Sequence, residues 1–268
     1  MSFYETLTAA INDFIIYGFD NPERLDYWAK QLKKTLISSL MDEKALENAV
    51  ESALNTAYNR LVTKGKLINK HVDRFTIDRL KPKLREELQR RITASAKLIK
   101  LNREETISNV LRRFSGWASS IPEGGSKAVD KAKEKQAIRK SLAKAPFEER
   151  RVIIDQTHKL IANINDIVAV DNGAIGAEWN SHWREASYDY REDHKERDAK
   201  VYVLRGNWAS GKGLINPLHG YTDAITMPSE EPYCRCFYRY IYTLRGLPEE
   251  MLTAKGKTAI QSAKTQLR

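Results

Sequence analysis

Three residues of this 268-residue chain have the side chains of a metal site: Cys234, Cys236 and, forty positions upstream, His194. Zinc takes four nitrogen or sulfur ligands in a tetrahedron, and His219 is the next candidate to join them. The C-x-C spacing is tighter than the C-x2–4-C usual for such sites, and only three ligands are well placed. On sequence alone we prefer the plainer reading. Both thiols are then small buried hydrophobes at the start of the last strand, and His194 bonds to backbone or to a carboxylate. His182, Asp189, Asp193 and His194 have the residue types of a metal-dependent nuclease, in which a bound cation activates water. Nothing fixes a paired geometry among them, and DYREDHKERD reads as a charged turn. No catalytic residue is assigned. Gly206-x4-Gly211-Lys212 imitates a phosphate-binding loop but lacks the following Ser or Thr and the helix that the motif needs. The run Phe237, Tyr238, Tyr240 and Tyr242, with Arg235 and Arg239 interleaved, could stack on bases. Alternation in a strand would equally make the three tyrosines a packing layer.

The elements that carry these residues change character along the chain. Ser2-x-x-Glu5 is a capping box, and Phe3, Leu7, Ala10, Ile11, Phe14 and Ile15 follow at helical spacing up to Gly18. Asn21-Pro22 starts a second helix with Leu25, Trp28, Leu32, Leu36 and Leu40 on one face. Asp42 opens a third, which breaks at Lys64-Gly65-Lys66. The pattern resumes from Asp73, is interrupted at Pro82, and a further helix is expected over REETISNVLRRFSGWASSI. Ser119 to Ser126, SSIPEGGS, is the best linker candidate. A basic helix follows, then an apolar one from Pro146 ended by Asn172-Gly173. Beyond Gly176, WNSHW, KVYVL, AITM and CFYRYIY read as short strands of a small antiparallel sheet. The tail from Leu247 begins with a Pro-Glu-Glu helix start. The fold expected is α+β, with helical residues 1–120, a linker and basic helix at 121–145, a small α+β domain at 146–246 and a basic tail at 247–268.

Two anchors stand in the last part of the chain. One is Trp183-x7-Arg191-x2-His194 with Asp198, and the other is Pro232-Tyr233-Cys234-Arg235-Cys236. Together they resemble the C-terminal domain of the phage Mu F-like head-morphogenesis family, minor head proteins of tailed phages. In that family a Trp, then R-x-x-H, then a short Asp-Gly segment before a strand is followed by a loop closed with P-x-C-R-C. Trp183, Arg191, His194 and Asp198 match the first half, and Pro232, Cys234, Arg235 and Cys236 match the second. Residues 151–166 look like the family's lead-in helix. One departure is Ala199, where the family usually has Gly. The resemblance covers roughly residues 143–246. It implies a non-enzymatic minor head protein, assembled in the host cytoplasm into the virion, at the portal vertex or capsid interior. It also implies portal, major capsid and scaffold proteins and packaged double-stranded DNA as partners.

Composition sets wider limits. A 41% hydrophobic and 30% charged chain fits a globular protein rather than a disordered one. The net charge of +10 suits a polyanion neighbour, although many soluble proteins carry such an excess without one. Lys127, Lys131, Lys133, Lys135, Arg139, Lys140 and Lys144 concentrate that charge in the basic helix, as a solvated face or a phosphate-facing one. No segment approaches the ~20 apolar residues of a membrane span, and the opening MSFYETLTAAINDF lacks a basic leader pattern, so no membrane is expected. A metal-dependent nuclease centred on His194 and a stand-alone DNA-binding protein are the alternatives to the minor-head reading.

Overall fold

The computed structural model describes residues 2–40, 42–63, 74–126, 130–143 and 145–265. Lys127, Lys144 and the expected break at Lys64-Gly65-Lys66 lie outside them, as does the Arg139 side chain. Helices dominate the first two thirds, and a small antiparallel sheet lies near the C-terminus, as an α+β fold requires. Among the described residues no helix is long and apolar enough to cross a membrane. The chain divides into two compact units, one of residues 1–51 and 93–153, the other of residues 52–92 and 154–268.

The first unit begins with α1 (Phe3–Tyr17), whose Ser2 and Glu5 form the reciprocal capping box. Helix α2 (Pro22–Ser39) starts on Asn21, whose side chain accepts from the Arg24 N–H. Helix α3 (Glu43–Tyr58) has Asp42 accepting from the Ala45 N–H. Phe3, Leu7, Ile11 and Phe14 of α1 pack with Leu32 and Leu36 of α2 and with Val110 and Phe114 of α4 (Arg74–Ala118). Helix α4 corrects the expectation of an interruption at Pro82 and a separate helix after it. Proline removes one N–H and one carbonyl bond, and the residues beyond it up to Ala118 contain no second breaker strong enough to end the ladder. The SSIPEGGS stretch is not a free connector. The N–H groups of Gly124 and Ser126 donate to the Tyr17 and Ile15 carbonyls, and Ile121 is buried. Gly18 (φ 72) and Gly125 (φ 86) are required at this contact, since a Cβ at Gly18 would sit 1.8 Å from the Pro122 oxygen. Helix α5 (Lys131–Ala143) starts on Asp130 and buries Ile138 in the same core.

The second unit is organised by α6 (Ala145–Asp171) and three strands, β1 (Gly176–Asn180), β2 (Val201–Val203) and β3 (Phe237–Ile241). Their order is β2-β1-β3, antiparallel, with Ala177 opposite both Tyr202 and Tyr240, and Trp179 opposite Tyr238. Period-two alternation then sends side chains to opposite faces. Ala177, Trp179, Tyr202, Tyr238 and Tyr240 form one core with Ala169 of α6 and both cysteines. Val201, Val203 and Ile241 form another with Leu214, Ile215, Leu247 and Met251. The tyrosines of β3 are thus a packing layer, and the base-stacking alternative for Tyr238 and Tyr240 is excluded by their burial. Three boundaries differ from the sequence reading. The first strand starts at Gly176 and ends at Asn180, before most of WNSHW. AITM is no strand: Thr222–Ala224 is a 3-10 turn, and Ile225 and Met227 pack as loop residues on the tyrosine core. Pro248-Glu-Glu makes only a 3-10 turn at Glu249–Met251, and α9 (Ala254–Thr265) begins on Thr253, whose hydroxyl accepts from the Gly256 N–H.

Asp166 of α6 accepts a hydrogen bond from the Tyr240 hydroxyl at 3.0 Å. Burial raises its carboxyl above the ordinary value, against that bond and the charge of Lys83. The folded state therefore holds this proton more tightly than the unfolded chain does. Its stabilisation is complete below the unfolded value of 3.8 and is lost as the pH rises through the folded value. Asp166→Asn keeps an acceptor for Tyr240 and removes the loss. Urea midpoints should show the variant gaining on the wild type between about pH 3 and about pH 7. An equal difference at both ends would contradict this.

Candidate functional site

The two motif halves meet beyond the end of β1. Helix α7 (Glu192–Glu196) is a single turn with Glu192 and Asp193 at its N-terminal end, where their charge suits the helix dipole. It turns His194 inward to 1% exposure. The second half reaches β3 through a loop in which Ser229 (φ 66) and Tyr233 (φ 63) adopt the left-handed region. That conformation costs a non-glycine residue about 1–2 kcal/mol, so neighbouring contacts must hold it. The Tyr233 N–H donates to Asp155 Oδ1 of α6 at 2.8 Å, and the Ser229 hydroxyl donates to the Cys236 carbonyl.

Each residue of the expected motif has a place here. The Trp183 indole N–H donates to Asp198 Oδ2 at 2.8 Å, and the other carboxylate oxygen accepts from the Ser181 N–H. Arg191 crosses to the second half, donating to the Pro232 carbonyl at 3.0 Å and pairing with Glu231 at 2.7 Å. The Arg235 guanidinium lies over the Tyr188 ring, and the Arg235 backbone N–H donates to the Tyr188 hydroxyl. Cys234 and Cys236 are free and 2% and 1% exposed, as the plainer reading expects of buried thiols. His194 does more than fill that core. Its Nδ1 stands 3.6 Å from Cys234 Sγ and 3.6 Å from Cys236 Sγ. Its Nε2 is 3.5 Å from Glu231 Oε2, an ion-pair distance without an aligned hydrogen bond. The Trp179 ring packs edge-on against the imidazole.

The two sulfurs titrate as a pair. Hydrogen bonding from Cys234 pulls the Cys236 thiol down to about 6 against the effect of burial, helped by Ser181 and the His182 backbone N–H. The same bond, then burial, pushes Cys234 up. Three nitrogen and sulfur donors within 4.8 Å of one another are a ligand set for a borderline-soft divalent cation.

The other candidates are placed elsewhere. His219 lies against the Tyr202 ring, and no fourth His, Cys, Asp or Glu joins the cluster among the described residues. Of the residues of the nuclease alternative, Asp193 Oδ2 stands 3.9 Å from His194 Nε2. His182 packs on Tyr188 and Phe237, Asp189 is exposed, and Asp193 pairs with Arg197 at 2.7 Å. In the glycine-rich loop a short turn, α8 (Trp208–Gly211), precedes Lys212 rather than following it, and Asn207 caps it. On α5, Lys133 and Lys140 are exposed and seven residues apart, so they share one face. Lys131 and Lys135 fall on the side of buried Ile138, so the described lysines do not form a single stripe.

Sequence reasoning missed Glu231, Asp155, Trp179, Ser229 and Tyr188. Glu231 had a signal, since a carboxylate next to Pro-x-Cys can orient a nearby imidazole. Asp155 and Tyr188 had none, because their partners are 78 and 47 residues away. Ala199 explains its own departure. It has φ 62, and its N–H donates to the Trp179 carbonyl at 2.8 Å, so the turn before β2 needs the left-handed region. Ala199→Gly is expected to raise stability by about 1 kcal/mol, read as a higher urea midpoint. A lower midpoint would contradict it. Comparison with models of known protein families, with curated proteins and with solved structures finds no match for this chain.

Proposed function

We propose that this protein is a minor head protein of a tailed bacteriophage, non-enzymatic, acting in head morphogenesis at the portal vertex and in contact with packaged DNA. The observation that carries the reading is the joining of the two motif halves. Arg191 holds Glu231 and the Pro232 carbonyl, and His194 stands between the cysteines. Residues that the Mu F-like resemblance picked out from distant parts of the sequence therefore serve one local structure, as parts of a shared domain would. The exposed Lys133 and Lys140 and the net charge of +10 support a DNA neighbour, since phosphate contacts need only positive charge within reach. Location in the virion, assembly in the host cytoplasm, and portal, major capsid and scaffold partners belong to the same proposal.

The test is co-expression of the tagged full chain with portal and major capsid proteins, followed by affinity capture. Portal should be recovered with the chain. In parallel, Lys133→Gln with Lys140→Gln should weaken duplex binding and flatten its salt dependence by about two phosphate contacts. Failure to recover portal, with DNA binding intact, would replace this reading with that of a stand-alone DNA-binding protein. An unchanged salt slope would remove α5 from the DNA contact.

A further inference from the structure

We propose that His194, Cys234 and Cys236 hold one zinc ion, through imidazole Nδ1 and two thiolates, and that this ion ties the two motif halves together. Distances carry the argument first. With Zn–S near 2.3 Å and Zn–N near 2.0–2.1 Å, a tetrahedron has S···N edges of about 3.5–3.6 Å. Both observed separations are 3.6 Å. A hydrogen-bond account fits less well. In any one tautomer Nδ1 has either one proton or one lone pair, so it can serve one sulfur fully but not both. Equal distances to two sulfurs fit a cation shared by all three donors, which lie within 4.8 Å of one another.

The surroundings agree with that ligand assignment. A ligating imidazole ordinarily turns its other nitrogen to a carboxylate, which fixes the tautomer. Here Nε2 faces Glu231 at 3.5 Å, and Arg191 holds Glu231 at 2.7 Å. The Ser229 N–H donates to Cys234 Sγ at 3.3 Å, a bond that favours a thiolate. Two left-handed residues, Ser229 and Tyr233, bend the loop so that sulfurs only two positions apart both face the ring. The three donors are nearly inaccessible to solvent, and a mixed nitrogen–sulfur set suits zinc better than magnesium or calcium. No fourth His, Cys, Asp or Glu joins the three among the described residues, and the Ser181 hydroxyl stands 3.8 Å from Cys236 Sγ. The role is structural. Arg191 and Glu231 are positioning residues that act through His194.

The full chain, purified without chelator from zinc-supplemented cells, should contain one zinc per molecule by elemental analysis. Replacing zinc with cobalt should give the visible bands of a tetrahedral ion with thiolate-to-cobalt charge transfer. His194→Ala and Cys236→Ser should lose both signals. Because these variants can also unfold, Glu231→Gln is the informative one. It keeps all three ligands and should weaken zinc binding about 10–100-fold in a competition titration with a chromophoric chelator. A folded wild-type chain that carries no zinc and gives no sulfur–cobalt bands would overturn the proposal, as would a Cys234–Cys236 disulfide in freshly purified protein. Unchanged zinc affinity in Glu231→Gln would overturn the positioning role. These measurements use no phage partner, so their failure would leave the minor-head reading standing, and the reverse also holds.

Discussion

Trp179→Ala is expected to destabilise the sheet-bearing unit by about 3–5 kcal/mol, the range for removing a large buried aromatic. Trp179 is fully buried on the central strand. Its ring meets Tyr238 at 5.6 Å and His194 at 5.1 Å, both edge-on, and the Arg197 guanidinium lies over it. Alanine would leave a cavity between the tyrosine layer and the cysteine cluster. The sheet cannot collapse into that space, because the β1 backbone is paired on both sides. The loss should appear as an earlier urea transition with reduced near-ultraviolet circular dichroism. Trp179→Phe, which preserves an aromatic edge for His194, should lose less. A cost below about 1 kcal/mol for the alanine variant would mean that this cluster is not the unit's core.

The second large effect is expected in the helical unit. Phe14 is fully buried and packs edge-on against Phe114 at 5.9 Å and Trp117 at 6.4 Å. Phe14→Ala should cost about 3–5 kcal/mol, because three helices face the vacated volume and each is held by its other contacts. Ile16 and Tyr17, on the same helix and more than half exposed, provide the control. Ile16→Ser should stay within about 0.5 kcal/mol of the wild type. The comparison is made by thermal unfolding followed by helical circular dichroism. Equal effects at positions 14 and 16 would contradict the assigned face of α1.

Local chemistry made much of the fold legible. Capping by Ser2, Asn21 and Asp42 places three helix starts correctly, because each cap is satisfied within three residues of itself. The α+β division was also readable, since apolar spacing changes from helical to alternating near Gly176. Pro82 was over-read, because a single lost backbone bond does not end a helix of 45 residues. AITM was misread for a different reason. Its β-forming residues gain more from covering the tyrosine layer than from pairing as a strand.

At the site, the sequence by itself determined which residues were available: one histidine, two cysteines and the arginine and proline around them. It also determined that Ala199 stood where glycine was expected. Only the tertiary structure decided their relations. It brought Nδ1 of His194 equally close to two sulfurs forty residues on, and set Glu231 behind the ring. It also set Asp155 under a left-handed tyrosine. Caps and periodicity are short-range effects that spacing along the chain records. The site depends on the direction in which three separate segments present their side chains, and that direction is set by the packing of β1, α6 and β3, not by distance along the chain.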